Sequence, residues 1–154
     1  MSPKRLPELR FPSLSGDTPI PLRPPGRQGA VLLLLHTASC RECIAYLESL
    51  AEVRDQLADW DGRVLAVVPE DGYPTPTGLV DRALPFLLAR DEGGRCASSC
   101  DLPPGSLVIA DQWGEVFHIH RGRPEEHGFP GPEEVVEWLK FVAIQCPECQ
   151  GEAL

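Results

Sequence analysis

Six cysteines are the residues best able to do chemistry in this 154-residue chain, and they fall in three close pairs: Cys40/Cys43, Cys96/Cys100 and Cys146/Cys149. A cysteine is a nucleophile or a metal ligand only as its thiolate, so what each pair can do depends on the charge and burial around it. In Cys40-Arg41-Glu42-Cys43 the two intervening residues let one sulfur stay exposed at a helix start while the second lies one turn in, close enough for a reversible disulfide. Arg41 and Glu42 act on the charge of Cys40 in opposite senses. In Cys96-Ala-Ser-Ser-Cys100 the spacing puts both sulfurs on one face if the segment is helical. A resolving or relay role, a local disulfide or metal pair, and burial as small apolar side chains all stay open there. Cys146-Pro-Glu-Cys149 looks like half a zinc ribbon, and reads equally as a separate disulfide, a contact in trans or a frayed tail.

Two histidine positions add to the inventory. His36, four residues before Cys40, could act as a base, orient the loop, or be buried as a satisfied polar group. His118 and His120 alternate onto one strand face, a two-ligand spacing without a third ligand, and are expected on a solvated face. The three tryptophans, Trp60, Trp113 and Trp138, are explained by packing at helix or turn positions.

The same cysteines mean a disulfide framework outside the cell and redox or metal chemistry inside it. The first ten residues have no apolar segment of the kind a signal peptide carries, and hold an acid and prolines in its place. The longest apolar run, Ala30-Val-Leu-Leu-Leu-Leu35, is far short of the roughly 20 residues of a membrane span. A cytoplasmic location with reduced thiols is therefore expected. With 14 Lys and Arg against 23 Asp and Glu, the net charge of −9 repels phosphate backbones and anionic lipid, so neither nucleic acid nor a membrane is an expected partner. A length of 154 residues with 42% apolar and 24% charged side chains suits one globular domain.

The elements that must position the cysteines follow from periodicity. Residues 1–29 hold seven prolines and no helical period, and read as an N-terminal arm or hairpin around a Ser15-Gly16-Asp17-Thr18 turn, packed on the domain. The run 30–35 is a strand buried on both faces. From 43 to 60, apolar residues at Tyr46/Leu47, Leu50, Val53 and Leu57 predict one amphipathic helix. Strands are expected at 63–68, 85–89, 106–110 and 115–120, a short helix at 77–82, and a last helix opening on Pro132-Glu-Glu and running to about Gln145. The domain thus covers 30–145, with 146–154 as a CxxC tail. A βαβ half followed by a ββα half gives an α/β, thioredoxin-like fold: a central mixed β-sheet flanked by helices. On it, Cys40 lies at a helix N-terminus, where unpaired amides and the helix dipole stabilise a thiolate. Cys96/Cys100 shares that pole, whereas a last helix of about 14 residues carries Cys146/Cys149 roughly 20 Å away.

The stretch Pro12-Ser-Leu-Ser-Gly-Asp-Thr-Pro-Ile-Pro-Leu22 followed by Gly29-Ala-Val-Leu-Leu-Leu-Leu-His-Thr-Ala-Ser-Cys-Arg-Glu-Cys43 resembles the opening of the redoxin group. That group joins thioredoxin-like thiol-disulfide oxidoreductases to the alkyl hydroperoxide reductase/thiol-specific antioxidant peroxiredoxins. The likeness continues through residues 84–94 and 104–116 and covers about residues 11–144. It implies that Cys40 is the attacking thiol, Cys43 the resolving thiol, and Pro104 the family's cis-proline facing the dithiol, with Pro103 as its competitor. Ser39 and Arg41-Glu42 depart from the thioredoxin Trp and Gly-Pro, and Leu34 stands where thioredoxin has a buried acid for proton transfer. Of the peroxiredoxin Pro-x-x-x-Thr-x-x-Cys motif only Thr37 and Cys40 remain, with Leu33 at the proline and Gly105 near the activating arginine.

These departures favour a thiol-disulfide oxidoreductase over a thiol peroxidase. A protein disulfide or a hydroperoxide is the implied substrate and a cellular thiol the reductant. The electrons reside in the sulfurs, so no organic cofactor is expected. In the alternative, a non-catalytic redoxin relative that binds metal or senses oxidation, the cysteine pairs would hold zinc.

Overall fold

The computed structural model describes residues 5–14, 16, 18–37, 39–70, 77–80, 82–123 and 128–144. Its elements are β1 (Arg10–Phe11), β2 (Ile20–Pro21), β3 (Gly29–Leu34), α1 (Arg41–Ala51), α2 (Arg54–Asp59), β4 (Gly62–Pro69), α3 (Thr77–Val80), β5 (Leu87–Asp91), a 3₁₀ turn (Glu92–Gly94), α4 (Arg95–Cys100), β6 (Ser106–Ala110), β7 (Val116–His120) and α5 (Pro132–Ala143). Five strands form one sheet in the order β5-β4-β3-β6-β7. β3, β4 and β5 run parallel, while β6 and β7 are antiparallel to their neighbours. This is the mixed sheet with helical cover that the sequence predicts. Among the described residues no helix is long and apolar enough to cross a membrane.

β3 lies at the centre, and every residue of it is buried, as its unbroken apolar run requires. Its side chains alternate between two cores. Val31 and Leu33, with Leu35 just beyond the strand, meet Leu47 and Leu50 of α1, Leu57 of α2, and Val135, Leu139 and Val142 of α5. Ala30, Leu32 and Leu34 face Leu6, Phe11, Ile20 and Leu22 of the N-terminal arm together with Cys96 and Cys100 of α4. The arm therefore covers a sheet face, and it is tied down at both ends. The Leu6 amide donates to the Gly114 carbonyl, 2.8 Å, at one side. At the other, Leu14 N–H to Leu88 C=O (3.0 Å) and Arg90 N–H to Pro12 C=O (2.9 Å) cover the outer edge of β5, which would otherwise expose unpaired backbone groups. Arg63 of β4 donates to the Pro21 and Leu22 carbonyls, and burial lowers its pKa to about 10, which leaves it charged at neutral pH.

The structure corrects several expected boundaries. The helix predicted over 43–60 is two helices, because Glu52 and Val53 tighten the end of α1 with bonds to the Ser49 and Leu50 carbonyls. Val53, β-branched and at φ −110°, is the weak helix former at the break. The strand expected at 85–89 is shifted to Leu87–Asp91, since Pro85 has no N–H to give a ladder. α5 ends at Ala143 rather than Gln145, a residue outside those described. Between β6 and β7, Ile109 pairs with His118 and Ala110 with Val116, so Phe117 is an inserted bulge residue. The insertion turns Phe117 to the α5 side along with His118 and His120. His118 stacks on Trp138 at 4.6 Å and His120 lies 5.8 Å from Phe129, so the face expected to be solvated is packed with aromatic rings.

Phe11 is fully buried beneath the Arg95 guanidinium, 5.0 Å from its ring centre, and anchors the arm to the second core. Phe11→Ala is expected to lower unfolding free energy by about 3–5 kcal/mol. Urea melts followed by circular dichroism would measure it, and a loss under about 1 kcal/mol would show that the arm is not part of the cooperative core.

Candidate active site

β3 ends at Leu34, Leu35 N–H still pairs with Val67 C=O at 3.0 Å, and α1 begins at Arg41. Cys40 is the N-cap of that helix, in extended conformation (φ −66°, ψ 117°), and its Sγ accepts the Cys43 N–H at 3.4 Å. One first-turn amide of an 11-residue helix is thus aimed at a half-buried sulfur, an arrangement that accommodates negative charge there. Glu42 Oε1 lies 3.7 Å from the same sulfur. Cys43, one turn in, is fully buried against the α1/α5 core. Burial pushes its thiol pKa up to about 12, helped by Cys40 and Glu42 and opposed by the His36 backbone N–H, which donates to Cys43 Sγ at 3.4 Å.

The His36 ring completes the group. Its Nε2 is 3.1 Å from the Arg123 carbonyl and its Nδ1 is 3.4 Å from Cys43 Sγ. A carbonyl only accepts, so Nε2 carries the ring proton, and a neutral imidazole then presents its Nδ1 lone pair to the sulfur. A ring nitrogen of His36 and the sulfurs of Cys40 and Cys43 all lie within 4.8 Å of one another, close enough to share one metal ion. His36 is half-buried rather than buried, and its ring nitrogens face the Arg123 carbonyl and Cys43 Sγ.

Gly105, Ser106, Gly122 and Arg123 hold this ring and the loop beneath it in place, and of these the sequence marks only Gly105, as the residue near the peroxiredoxin arginine position. Gly105 has φ +85°, and a Cβ on it would collide with the His36 imidazole. Its amide donates to the Leu34 carbonyl at 2.6 Å. Gly122 leaves no room for a Cβ against the Pro104 carbonyl, and its N–H reaches Ser106 Oγ at 2.8 Å. Ser106 in turn donates to Pro103 C=O at 2.7 Å, bracing the 103–105 loop. Arg123 contributes through its carbonyl alone, which no side-chain motif announces.

The remaining predicted residues are distributed as follows. Thr37 is exposed, and its carbonyl takes the Cys40 N–H at 3.4 Å. Pro104 precedes the glycine under His36 and lines a cavity of about 250 Å³ with Leu34, Leu35, Val67, Asp91 and Ala97. That cavity adjoins the pole of the dithiol but is not lined by Cys40, Cys43 or His36. Cys96 and Cys100 do share one face of α4, whose first amides are capped by Asp91 (Cys96 N–H 2.7 Å, Ala97 N–H 3.1 Å). Both are fully buried in the core across the sheet from Cys43, so the shared pole does not bring the two pairs into one core. A hydrogen bond to Cys100, and then burial, raise the Cys96 pKa. Cys43, Cys96 and Cys100 are not joined in disulfides. Cys146 and Cys149 lie outside the described residues.

This architecture is a thioredoxin-like α/β fold, as the redoxin resemblance implies. No family model and no curated protein matches the sequence. Among solved structures, the chain is similar to Mycobacterium tuberculosis AhpC (TM-score 0.73, 14% identity, covering 100% of this chain and 95% of that one). It is also similar to a putative thioredoxin from Neisseria meningitidis (TM-score 0.69, 15% identity, 99% of each chain). A putative thiol:disulfide interchange protein DsbE from Chlorobium tepidum gives a TM-score of 0.68 at 15% identity, over 94% of this chain and 99% of that one. Likeness at such identities establishes the fold alone.

Gly105→Ala is expected to destabilise the fold by about 1–3 kcal/mol, from positive φ and from collision with the His36 ring. The His36 ring resonances should move in NMR spectra of this variant; unmoved resonances would show that Gly105 does not position the ring.

Proposed function

We propose that this protein is a thiol-disulfide oxidoreductase in which Cys40 attacks and Cys43 resolves. The observation that carries the reading is the contrast within the pair. Cys40 is half-buried at a helix N-terminus with an amide on its sulfur, while Cys43 is sealed behind it with its proton held on. Cys40 thiolate attacks one sulfur of a substrate disulfide, forming a mixed disulfide and expelling the other sulfur as a thiolate that takes up a proton. Cys43 then gives its proton to the lone pair of His36 Nδ1 and attacks Cys40 Sγ. The second substrate sulfur leaves as a thiolate and takes that proton from the His36 imidazolium, and a Cys40–Cys43 disulfide remains. Two electrons pass from protein to substrate, and a cellular thiol reductant returns them. His36 thereby supplies a proton acceptor where Leu34 stands in place of an acid.

The test is reduction of a model protein disulfide by the pre-reduced chain. Cys40→Ser should abolish it, and Cys43→Ser should stop at a trappable mixed disulfide. Iodoacetamide at pH 8 should label Cys40 ahead of Cys43, Cys96 and Cys100, as mapped by mass spectrometry. Consumption of hydroperoxide faster than disulfide, dependent on Cys40, would overturn the choice of substrate. His36→Asn is expected to slow release of the mixed disulfide by about 100-fold while leaving its formation within about threefold. Stopped-flow separation of the two phases measures this, and an unchanged second phase would remove His36 from the reaction.

A further inference from the structure

The three side chains that meet at the start of α1 are also a set of metal donors. We infer that the reduced protein binds one Zn²⁺ through His36 Nδ1, Cys40 Sγ and Cys43 Sγ, leaving a fourth position open to water or a thiol. The inference uses the residues of the proposed oxidoreductase site but does not depend on turnover.

Geometry comes first. One donor atom from each residue lies within 4.8 Å of the other two, and His36 Nδ1 is 3.4 Å from Cys43 Sγ. A tetrahedral zinc with Zn–S of about 2.3 Å and Zn–N of about 2.0 Å has an S···N edge of about 3.5 Å. An ion can therefore enter without the imidazole and the buried sulfur moving apart. Zinc-bound histidines nearly always donate their other ring N–H to a carbonyl or carboxylate, which fixes the tautomer and aims the lone pair. His36 meets that condition before any metal arrives, through Nε2–H to the Arg123 carbonyl at 3.1 Å, with the ring seated on Gly105.

Charge and ligand type select the ion. Two thiolates, one neutral imidazole and Zn²⁺ make a complex of zero net charge, which a half-buried pocket accepts far more readily than an isolated thiolate. Sulfur and imidazole donors favour zinc over magnesium or calcium, which require oxygen. Coordination holds both sulfurs as thiolates, so binding releases the proton of Cys43 and any proton that Cys40 still carries. Both sulfurs are the atoms that would join in a disulfide. Oxidation by a disulfide R–S–S–R therefore removes two of three ligands: the pair forms Cys40–Cys43, two protons are taken up, and two RSH and free Zn²⁺ are released. The site would hold zinc only while reduced.

The experiment uses the full chain with Cys146→Ser and Cys149→Ser, so that the tail pair cannot contribute ligands. Reduced, metal-free protein is titrated with Zn²⁺ against a chromophoric chelator, and with Co²⁺ as a spectroscopic stand-in. One equivalent of Zn²⁺, tetrahedral Co²⁺ bands with thiolate charge transfer, and release of the metal by hydroxyethyl disulfide are expected. His36→Asn and Cys40→Ser, checked for folding by circular dichroism, should each weaken Zn²⁺ binding at least about 10-fold. No stoichiometric binding in this background, or affinity unchanged in His36→Asn, would overturn the inference. Disulfide reduction assayed in excess chelator separates the two readings. A chain that binds zinc but does not exchange disulfides fails only the oxidoreductase proposal, and one that exchanges disulfides without binding zinc fails only this one.

Discussion

The hydrogen bond from the Gly105 amide to the Leu34 carbonyl, 2.6 Å long, is the constraint on which the site depends. It carries the β3–β6 ladder one step beyond the Leu34↔Ser106 pair, and so sets the 103–105 loop against the point where the chain leaves the sheet for Cys40. His36 enters the space that Gly105 leaves by having no side chain, and Gly122 closes the loop from its other side. Arg123, the next residue, then offers its carbonyl to the ring. Three segments remote in sequence are thereby registered to one another by backbone groups. Backbone anchors hold position better than long side chains, which lose rotamer entropy on being fixed.

The pleat of the sheet divides the sulfur chemistry of the described chain in two. Odd positions of β3 face the helices that present Cys40 and Cys43, while even positions face α4 and the arm. Cys96 and Cys100 therefore behave as small apolar side chains packed with Phe11 and Leu22, hydrogen-bonded to each other and sealed from solvent. The arm makes this division stable. With few hydrogen-bonded strand residues of its own, it contributes Leu6, Phe11, Ile20 and Leu22 to a core that a single short helix could not close.

Much of this was legible in residue order. A run of six apolar residues is too short for a core helix and reads as a strand buried on both sides, and the dithiol that follows it falls at the start of the next amphipathic segment. β6 occupies the expected 106–110 because small and polar residues bound it sharply. Periodicity does not see the α1/α2 break, because Leu50, Val53 and Leu57 continue the apolar spacing straight through it. It does not see the Phe117 bulge either, since alternation carries no record of an inserted residue on one strand. The spacing of Cys96 and Cys100 reveals that they share a face, but not which core that face meets. Gly105 was readable only as a position lacking an arginine, because the space a missing Cβ leaves becomes meaningful once its occupant, His36, is known.

The deepest part of the site was invisible for a further reason: its decisive group is a main-chain carbonyl. Every residue but proline brings the same N–H and C=O, so nothing in the identity of Arg123 marks its oxygen as the partner of His36. Yet that oxygen decides which ring nitrogen is bare. Were the tautomer reversed, Nδ1 would present a proton to Cys43 Sγ, and the imidazole could neither accept from the thiol nor bind a metal through that nitrogen. The proposed disulfide exchange and zinc binding make the same demand on the ring, a lone pair aimed at Cys43 Sγ, and one backbone acceptor meets it for both. The two chemistries exclude each other in time, because the disulfide consumes the donors that the metal needs. Cys40 and Cys43 are therefore open to metal only in the state that is also competent to reduce a substrate.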